Sequence, residues 1–323
     1  MSAESEISIA MAVYNGERFI LEQLKSLAHQ THLPDEMVIS DDCSTDRTVG
    51  IITEFALHAP FSIKVLTNDK NVGCTKNYER AIRDCSGDII FLCDCDDVWY
   101  PQKIATMEQA FNTQPKAGVA ICDADLVDER ARPLGQRLWE NRAFTLPRAL
   151  EKISAGRSFN RSIPCYGPCI AFRARYKSLV LPLPDGPSFR LAGQDTFITW
   201  CIVGAGAAGI ALVNEPLLAY RQHPAQMTKQ MQESPLPRWK ARNQRPLTFL
   251  VPLIERLESN AARELCVNGI FRDAALGHWR SRVCLPAGKM ARLPVVLREL
   301  LTGRYHMFSD GLKTAAKDLL FVR

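Results

Sequence analysis

The sequence has no apolar run long enough to cross a lipid bilayer. Its longest weakly polar stretch, Cys201 to Val213, is rich in Gly and Ala and is shorter than the ~20 residues that a spanning helix needs. The N-terminus, Met1 to Glu6, is polar and acidic, without a basic segment followed by an apolar core. We therefore expect no transmembrane helix, no signal peptide and a cytoplasmic location.

The cysteines lack the spacing of a metal-binding or disulfide framework. There are 11 of them, and no C-x-x-C pair occurs, although Cys93 and Cys95 flank an acidic segment. A structural zinc site needs thiolates paired at short spacing. The pattern favours free, buried thiols in a reducing compartment.

Positive charge is concentrated in the C-terminal part of the chain. The 323 residues carry a net charge of +5, whereas residues 229–323 hold 17 Lys and Arg against 8 Asp and Glu. This length suits one large domain with an appendage. The charge asymmetry predicts a boundary near Lys229, between a domain of residues 1–228 and a basic region of residues 229–323.

Apolar segments alternate with segments of helical periodicity in the N-terminal part. The predicted strands are Ile7 to Val13, Met37 to Ile39, Ile63 to Leu66, Asp88 to Cys93 and Val119 to Cys122. The segments between them place apolar residues three or four positions apart, as helices do. This alternation predicts an α/β fold with a mostly parallel central sheet flanked by helices. Three segments with helical apolar spacing and arginines between predict a C-terminal helical extension: Leu253 to Leu265, Ile270 to Val283 and Leu293 to Leu301.

Carboxylates cluster where the fourth predicted strand ends. Asp94, Asp96 and Asp97 follow the apolar run, and Asp41 and Asp42 follow the second strand. Because the carboxyl ends of parallel strands meet at one edge of the sheet, we expect both clusters to share a cleft. A divalent metal with few protein ligands and with substrate phosphates would neutralise them. The alternative is an acidic turn before a helix, whose N-terminus favours Asp.

A glycine motif near the middle of the chain resembles a dinucleotide fingerprint only in its letters. Gly204 to Gly209 fits G-x-G-x-x-G, but the fingerprint needs a preceding strand and a following helix. Here a predicted helix, Thr196 to Val203, precedes it, and a predicted strand, Ile210 to Val213, follows. We interpret the motif as a helix C-cap and tight turn.

Four segments together resemble the glycosyltransferase family 2 enzymes of the GT-A fold. They are SIAMAVYNGERFI, ISDDCSTDRT, NVGCTKNYERAI and GDIIFLCDCDDVWYPQKI, and their order and spacing cover residues 7–105. GQDTFITW and EPLLAYRQH extend the match, which fades after Thr228. Bacterial rhamnosyltransferase-like members are the most similar subgroup. The resemblance implies the GT-A fold of nucleotide-diphospho-sugar transferases and an inverting glycosyltransferase that depends on Mn²⁺ or Mg²⁺.

The resemblance also implies a metal site. Asp94 and Asp96 match the family's D-x-D acids, with Asp96 as the direct metal ligand and Asp94 nearer the ribose and metal-bound water. His223 is expected to complete the coordination of the metal or to contact phosphate. Arg221 is expected to bind diphosphate oxygens in a bidentate manner. For Asp97 the start of the next helix is an alternative to a ligand role.

Further residues are implied for the nucleotide and the acceptor. Family placement sets Ala12, Tyr14, Glu17 and Asp42 against the nucleoside, and a carboxylate such as Asp42 can accept from a pyrimidine imide N–H. Lys76 is a candidate phosphate contact, with a solvated helix face as the alternative.

The expected general base, which takes the acceptor hydroxyl's proton, is Asp195. Family members usually have Glu or His before this Asp, and this chain has Gln194. A helix N-cap role for Asp195 is compatible with a role as base.

We therefore expect a glycosyltransferase that uses a dTDP- or UDP-sugar and a glycan or lipid-linked acceptor in bacterial cell-surface polysaccharide synthesis. A non-catalytic nucleotide-sugar-binding or scaffold protein of the same fold is the alternative. A sugar-nucleotide pyrophosphorylase would need a Gly-rich basic loop after the first strand, which this sequence lacks. The basic C-terminal helices either pack on the catalytic domain or contact the inner face of an anionic membrane. No nucleic-acid recognition module accompanies their charge.

Overall fold

The computed structural model describes most of residues 1–226 and much of the C-terminal part of the chain. The described residues are 5–141, 165–184, 193–205, 209–226, 250–266, 269–286, 289–302, 304–305, 315–316 and 318–319. Within them, the strands form one nine-stranded mixed sheet. Its order is β3 (Ser62–Thr67), β2 (Glu36–Asp41), β1 (Ile7–Val13), β4 (Ile89–Cys93), β8 (Ile170–Arg173), β6 (Ala117–Val127), β9 (Gly209–Arg221) and β5 (Val98–Trp99), and β7 (Pro133–Arg137) pairs with β6.

The N-terminal half of the sheet is parallel. Its strands are β1 (Ile7–Val13), β2 (Glu36–Asp41), β3 (Ser62–Thr67) and β4 (Ile89–Cys93). The connecting helices are α1 (Ile20–Ala28), α2 (Thr48–Ala56) and α3 (Cys74–Asp84). Strands β1 and β4 lie at the centre and are buried almost throughout. Their continuous apolar sequences suit a strand that is covered on both faces.

The second half of the sheet mixes both directions. Strand β8 runs antiparallel between β4 and β6, β6 and β9 are parallel, and β7 and β5 pair antiparallel with β6 and β9. The strands here are β5 (Val98–Trp99), β6 (Ala117–Val127), β7 (Pro133–Arg137), β8 (Ile170–Arg173) and β9 (Gly209–Arg221). The helices are α4 (Lys103–Thr113), α5 (Leu138–Asn141), α6 (Lys177–Val180) and α7 (Gln194–Gly204).

The α/β prediction is confirmed, with every predicted strand present. The predicted strand Ile210 to Val213 is the first part of one long strand, β9, which continues to Arg221. Helix α7 ends at Gly204 and β9 begins at Gly209. A helix before the glycines and a strand after them is the reverse of the dinucleotide-binding context, so the motif is not a dinucleotide fingerprint. The predicted tight turn falls on residues 206–208, which lie outside the described residues.

The C-terminal region contributes helices to the main hydrophobic core. Residues 250–258 form α8, followed by α9 (Asn260–Glu264), α10 (Gly269–Val283) and α11 (Lys289–Leu301). Leu253 and Leu257 are fully buried in that core. The Trp279 ring stacks on Trp200 of α7, with centroids 6.0 Å apart. These contacts support the packed-helix alternative, while the domain boundary near Lys229 stays a prediction. Among the described helices, none is long and apolar enough to span a membrane.

Gly87 allows the chain to approach the start of β1 closely. A Cβ added at Gly87 would lie 2.7 Å from the Glu6 carbonyl oxygen and 2.8 Å from Ser8 Oγ. Because a backbone oxygen cannot move aside cheaply, we expect Gly87→Ala to lower the free energy of unfolding by about 1–3 kcal/mol, as overpacking does. Urea unfolding measures the change.

Gly50 is the matched control for this prediction. It is exposed in α2, and a Cβ added there would meet no atom within 4 Å. Gly50→Ala should therefore raise the free energy of unfolding by about 0.5–1 kcal/mol. Equal stability of Gly87→Ala and the wild type would contradict the close approach.

Candidate active site

Three carboxylates converge at the carboxyl end of β4. Oxygens of Asp94, Asp96 and Asp97 all lie within 4.8 Å of one another. The Tyr78 hydroxyl, from α3, lies 2.5 Å from Asp94 Oδ1 and 2.7 Å from the Cys93 carbonyl oxygen. Strand β4 and the buried Tyr78 thus fix the position of Asp94, the first acid of the D-x-D pair. The acids lie at the edge of the sheet where the sequence predicts a polar site.

Burial and mutual repulsion disfavour full ionisation of the cluster. Burial first and the neighbouring Asp96 second raise the pKa of Asp94 to about 7. Burial also raises the pKa of Asp97 well above its ordinary value, followed by the charges of Asp96 and Asp94. A cation bound among these oxygens would relieve the same repulsion.

Asp97 does not begin a helix. It precedes β5, and α4 starts six residues later, at Lys103. The Asp97 side chain is completely buried, Oδ1 accepts a hydrogen bond from Arg221 N at 2.9 Å, and Oδ2 has no hydrogen-bond partner among the described residues. The helix-start alternative for Asp97 is therefore wrong, because the pairing of β5 with β9 occupies this part of the chain.

His223 lies against the second acid of the D-x-D pair. Its Nε2 is 2.8 Å from Asp96 Oδ2, and the imidazole is almost fully buried. The antiparallel pairing of β5 with β9 brings the two residues together, since Val98 pairs with Ala219 and Trp99 with Leu218. The structure thus joins two predicted metal ligands that are 127 positions apart in sequence.

Arg221 also reaches this site, but its guanidinium contacts other parts of the chain. Nε donates to the Asp96 carbonyl oxygen at 2.6 Å, Nη1 to the Glu129 carbonyl oxygen at 2.9 Å, and Nη2 to Glu22 Oε2 at 2.6 Å. The residue is 1% exposed. The diphosphate contact of Arg221 stays a prediction, while the contacts observed hold the acidic loop.

Asp195 lies beside the acidic cluster, as the second residue of α7. Its Oδ2 accepts from Gly167 N at 3.0 Å, and Oδ1 accepts from Thr196 N at 2.6 Å. Burial raises the pKa of Asp195 to about 6. A Cβ on Gly167 would lie 3.9 Å from Asp94 Oδ1. Gly167 therefore separates Asp195 from the D-x-D acids by one residue's width.

The predicted nucleoside contacts lie at the ends of β1 and β2. Ala12 is half-buried in β1, and Tyr14 follows the strand with half of its surface exposed. Glu17 Oε2 accepts from Arg47 N at 2.9 Å. Asp42 accepts from Val72 N at 2.7 Å and from Gly73 N at 2.8 Å. These bonds anchor the start of α3, and the base contact of Asp42 stays a prediction.

Lys76 is engaged on α3. Its Nζ donates to Glu79 Oε2 at 2.7 Å and to the Leu183 carbonyl oxygen at 2.9 Å. The ammonium is thus not a freely solvated group, and its phosphate contact also stays a prediction.

Sequence reasoning missed one buried cation at the site. Lys103 is fully buried, its Nζ donates to the Pro168 carbonyl oxygen, and it lies 3.7 Å from the Trp99 ring centroid. Its charge acts to lower the pKa values of Asp94 and Asp97, against the effect of burial. A lysine in the first turn of a helix carries no sequence signal of such burial.

The family of this chain follows from its sequence. Residues 8–177, more than half of the chain, match the sequence model of glycosyl transferase family 2. The chain belongs to glycosyl transferase family 2. The family assignment confirms the resemblance and places the chain among the glycosyltransferases.

Two curated relatives share part of this family 2 chain. It is 28% identical over 222 residues to an uncharacterized glycosyltransferase of Nostoc sp., which covers 68% of the chain and 66% of that protein. It is 45% identical over 98 residues to the dTDP-rhamnosyl transferase RfbG of Shigella flexneri, covering 29% of the chain and 34% of that protein. The match thus spans about two thirds of the length of the Nostoc protein and about one third of the length of the Shigella protein.

Solved structures share the fold at low identity. S. aureus TarS 1-349 in complex with UDP-GlcNAc has a TM-score of 0.57 at 17% identity, over 97% of the chain and 90% of that structure. The mannosyltransferase PcManGT from Pyrobaculum calidifontis, in complex with GDP-Man and Mn²⁺, has a TM-score of 0.51 at 18% identity, over 98% and 78%. These similarities confirm the GT-A fold.

Gly193 leaves room for the Asp195 carboxylate in this family 2 chain. It has φ +82°, and an added Cβ would lie 2.3 Å from Asp195 Oδ1. We expect Gly193→Ala to move the carboxylate and to lower kcat about 100-fold, as small misplacements of reacting groups do. Steady-state kinetics measures the loss.

Gly135 provides the control, because it has φ +70° and open space around the added Cβ. Gly135→Ala should cost similar backbone strain, of about 1 kcal/mol, and leave kcat unchanged. Equal kcat values for Gly193→Ala and Gly135→Ala would contradict the prediction that the position of the Asp195 carboxylate determines kcat.

Proposed function

We propose that this family 2 protein transfers a sugar from a nucleotide-sugar donor to an acceptor hydroxyl, with inversion at the anomeric carbon. The observation that supports it most is the convergence of Asp94, Asp96, His223 and Asp195 at the carboxyl end of β4. Ligands in open α/β sheets bind at such an edge. Nuclear magnetic resonance of the product's anomeric proton tests inversion, and a retained configuration would contradict it.

The donor atoms of the site suit Mn²⁺ or Mg²⁺. Asp94 and Asp96 offer carboxylate oxygens and His223 an imidazole nitrogen, with further coordination left for water and phosphate, as these cations prefer. The mutual repulsion of these half-buried acids favours a bound cation over none. When bound, a divalent metal supplies stabilisation of the negative charge on the departing diphosphate.

The donor is proposed to be a dTDP- or UDP-sugar. The Shigella relative is named as a dTDP-rhamnosyl transferase, and the TarS structure holds UDP-GlcNAc. The half-exposed Tyr14 and the loop that follows it provide an accessible surface beside Asp42 for the nucleoside.

Asp195 is proposed as the general base. Its carboxylate is oriented by Gly167 N and Thr196 N, and a pKa of about 6 leaves it ionised at neutral pH yet more basic than an exposed aspartate. Attack by the acceptor oxygen on the anomeric carbon, opposite the diphosphate, gives inversion in one displacement. The acceptor's proton then passes to Asp195.

Replacing Asp96 tests the metal site. We expect Asp96→Asn to lower metal-dependent turnover by more than about 100-fold, because loss of a direct ligand costs at least as much as loss of an outer-shell partner. Turnover is measured as nucleoside diphosphate released during a Mn²⁺ titration.

Asp88→Asn makes the same change next to the opposite end of β4, where Asp88 Oδ2 accepts from Glu6 N at 3.2 Å. This control should retain turnover. Normal metal-dependent turnover in Asp96→Asn would refute the metal site.

The pH dependence of transfer tests Asp195. A base must be deprotonated, so kcat/KM should fall about tenfold per pH unit below pH 6 and level off above it, given the raised pKa of about 6. Asp195→Asn should bind the donor normally and lose transfer together with this acidic limb. A collapse of donor affinity in Asp195→Asn, or an unchanged acidic limb, would argue against the base.

We also propose that the chain contacts an anionic membrane surface, where a lipid-linked acceptor would lie, and that the transfer serves bacterial cell-surface polysaccharide synthesis. One face of α11 exposes Met290 (81%), Pro294, Leu297 (46%) and Leu301 (88%). Spacings of four, three and four place these residues in one stripe. Arg298 flanks it, and residues 229–323 have an excess of nine positive charges. An apolar stripe beside basic groups suits an anionic bilayer surface.

Sedimentation with phosphatidylglycerol vesicles tests this contact. We expect the full chain to bind, and the double variant Leu297→Asp with Leu301→Asp to bind at least about tenfold more weakly, since both hydrophobic burial and charge attraction are reduced. Leu57→Asp, at an exposed leucine (75%) after α2, serves as the control and should bind normally. Equal binding by all three proteins would refute the contact. A wild-type dimer that the double variant dissociates, without vesicle binding, would assign this face to a second copy.

A further inference from the structure

We propose that Glu22 and Phe19 are positioning residues for the Asp96–His223 pair: Glu22 acts through Arg221, and Phe19 acts through Arg221 and by direct contact with the His223 ring. This inference rests on the proposed metal-dependent transferase. It assigns Arg221 a positioning role in place of the predicted diphosphate contact. Nothing in the D-x-D segment or in the Y-R-Q-H segment points to α1, where Glu22 lies.

Each of the three guanidinium nitrogens of Arg221 donates a hydrogen bond to another part of the protein. Nε donates to the Asp96 carbonyl oxygen, Nη1 to the Glu129 carbonyl oxygen, and Nη2 to Glu22 Oε2. At 1% exposure it offers little surface to a diphosphate. Its main-chain N–H donates to Asp97 Oδ1. One residue therefore holds both the main-chain carbonyl group of Asp96 and the side-chain carboxylate of Asp97.

Glu22 supplies the counter-charge for this buried cation. Within the described residues it is the one carboxylate in ion-pair contact with Arg221, at 2.6 Å, and half of its own side chain is exposed (52%). Charge-assisted bonds of this kind fix the orientation of a guanidinium more strongly than neutral ones. Without Glu22, Arg221 would keep only carbonyl acceptors and would lose its link to α1.

The aromatic ring of Phe19 packs against both Arg221 and His223. Its ring centroid lies 4.8 Å from Arg221 Cζ and 4.9 Å from the His223 ring centroid. The ring thus contacts both the cation that holds Asp96 and the imidazole that faces Asp96 Oδ2. A guanidinium packed on an aromatic face and an imidazole packed beside it have fewer orientations available.

The assembly joins the two halves of the proposed donor site. Phe19 and Glu22 follow the loop of Tyr14 to Glu17 by a few residues, whereas Arg221 is the last residue of β9 and His223 follows two residues later. Metal ligands depend on outer-shell partners for their orientation, and loss of such a partner costs about 10- to 100-fold in metal affinity or activity. We therefore expect Glu22 to influence metal binding without contacting the metal.

Titration with Mn²⁺ alone tests the inference without relying on turnover. The free Mn²⁺ signal in electron paramagnetic resonance gives the affinity of the full chain. Glu22→Ala should bind Mn²⁺ about tenfold more weakly, and Glu22→Gln should recover part of this loss because its amide oxygen can still accept from Arg221 Nη2. Phe19→Leu, which removes the ring and keeps an apolar side chain, should also weaken Mn²⁺ binding.

Glu215→Gln is the matched control. It removes one exposed carboxylate from β9, the strand of Arg221, at a distance of six residues. It should bind Mn²⁺ with wild-type affinity, which separates the specific role of Glu22 from a general loss of negative charge. Thermal unfolding of each variant establishes that the fold is retained, and Glu22→Gln replaces Glu22→Ala if the alanine variant does not fold.

The outcomes separate this inference from the function on which it rests. Wild-type Mn²⁺ binding with unchanged affinity in the Glu22 and Phe19 variants would overturn the positioning role alone. Absence of Mn²⁺ binding by the wild-type chain would overturn the proposed metal-dependent function and the inference with it. Equal losses in Glu215→Gln and Glu22→Ala would also overturn the positioning role.

Discussion

Repulsion among clustered carboxylates, of which Asp97 is buried and Asp94 and Asp96 are half-buried, is the constraint on which the site depends. Asp94, Asp96 and Asp97 share one small region at the end of β4, and burial raises the pKa values of Asp94 and Asp97. Such a cluster is tolerable only if the surrounding chain compensates its charge and fixes its geometry. The buried Lys103 ammonium acts to lower the pKa values of Asp94 and Asp97, and the main-chain N–H of Arg221 donates to Asp97. The proposed divalent metal provides the rest of the compensation.

The sheet topology explains how distant segments reach this cluster. Parallel pairing of β2, β1 and β4 brings three strand ends to one edge, and the antiparallel pairing of β5 with β9 adds Arg221 and His223. The 3₁₀ turn before β8 and the first turn of α7 place Gly167 and Asp195 beside the acids. Each of these acids and His223 thus lies in, or within two residues of, a regular element, which favours the fixed geometry that the proposed catalysis requires.

Local sequence patterns predicted the central strands and the acidic edge of the sheet. The apolar runs of β1 and β4 and the acids after β4 predicted the polar sheet edge, and the family motifs pointed to Asp96, His223 and Asp195, which the folded chain brings to this edge. The mixed half of the sheet was not predicted, because β8 and β5 are short and their pairing depends on distant partners. The roles of Lys103 and Glu22 were not predicted either. Both are ordinary helix residues in sequence, and only the folded chain shows that one is buried beside the acids and that the other pairs with Arg221 across 199 positions.

The central claim, that this edge binds a nucleotide-sugar together with a metal, is tested most directly by thermal unfolding with Mn²⁺ and each of UDP-, dTDP- and GDP-sugars. A ligand that binds only the folded chain stabilises it by about 2.7 kcal/mol at 100 times its Kd. We predict that at least one donor raises the melting temperature by several degrees when Mn²⁺ is present, and that Asp96→Asn removes the increase. A wild-type chain whose melting temperature no donor changes, with or without Mn²⁺, would contradict the claim.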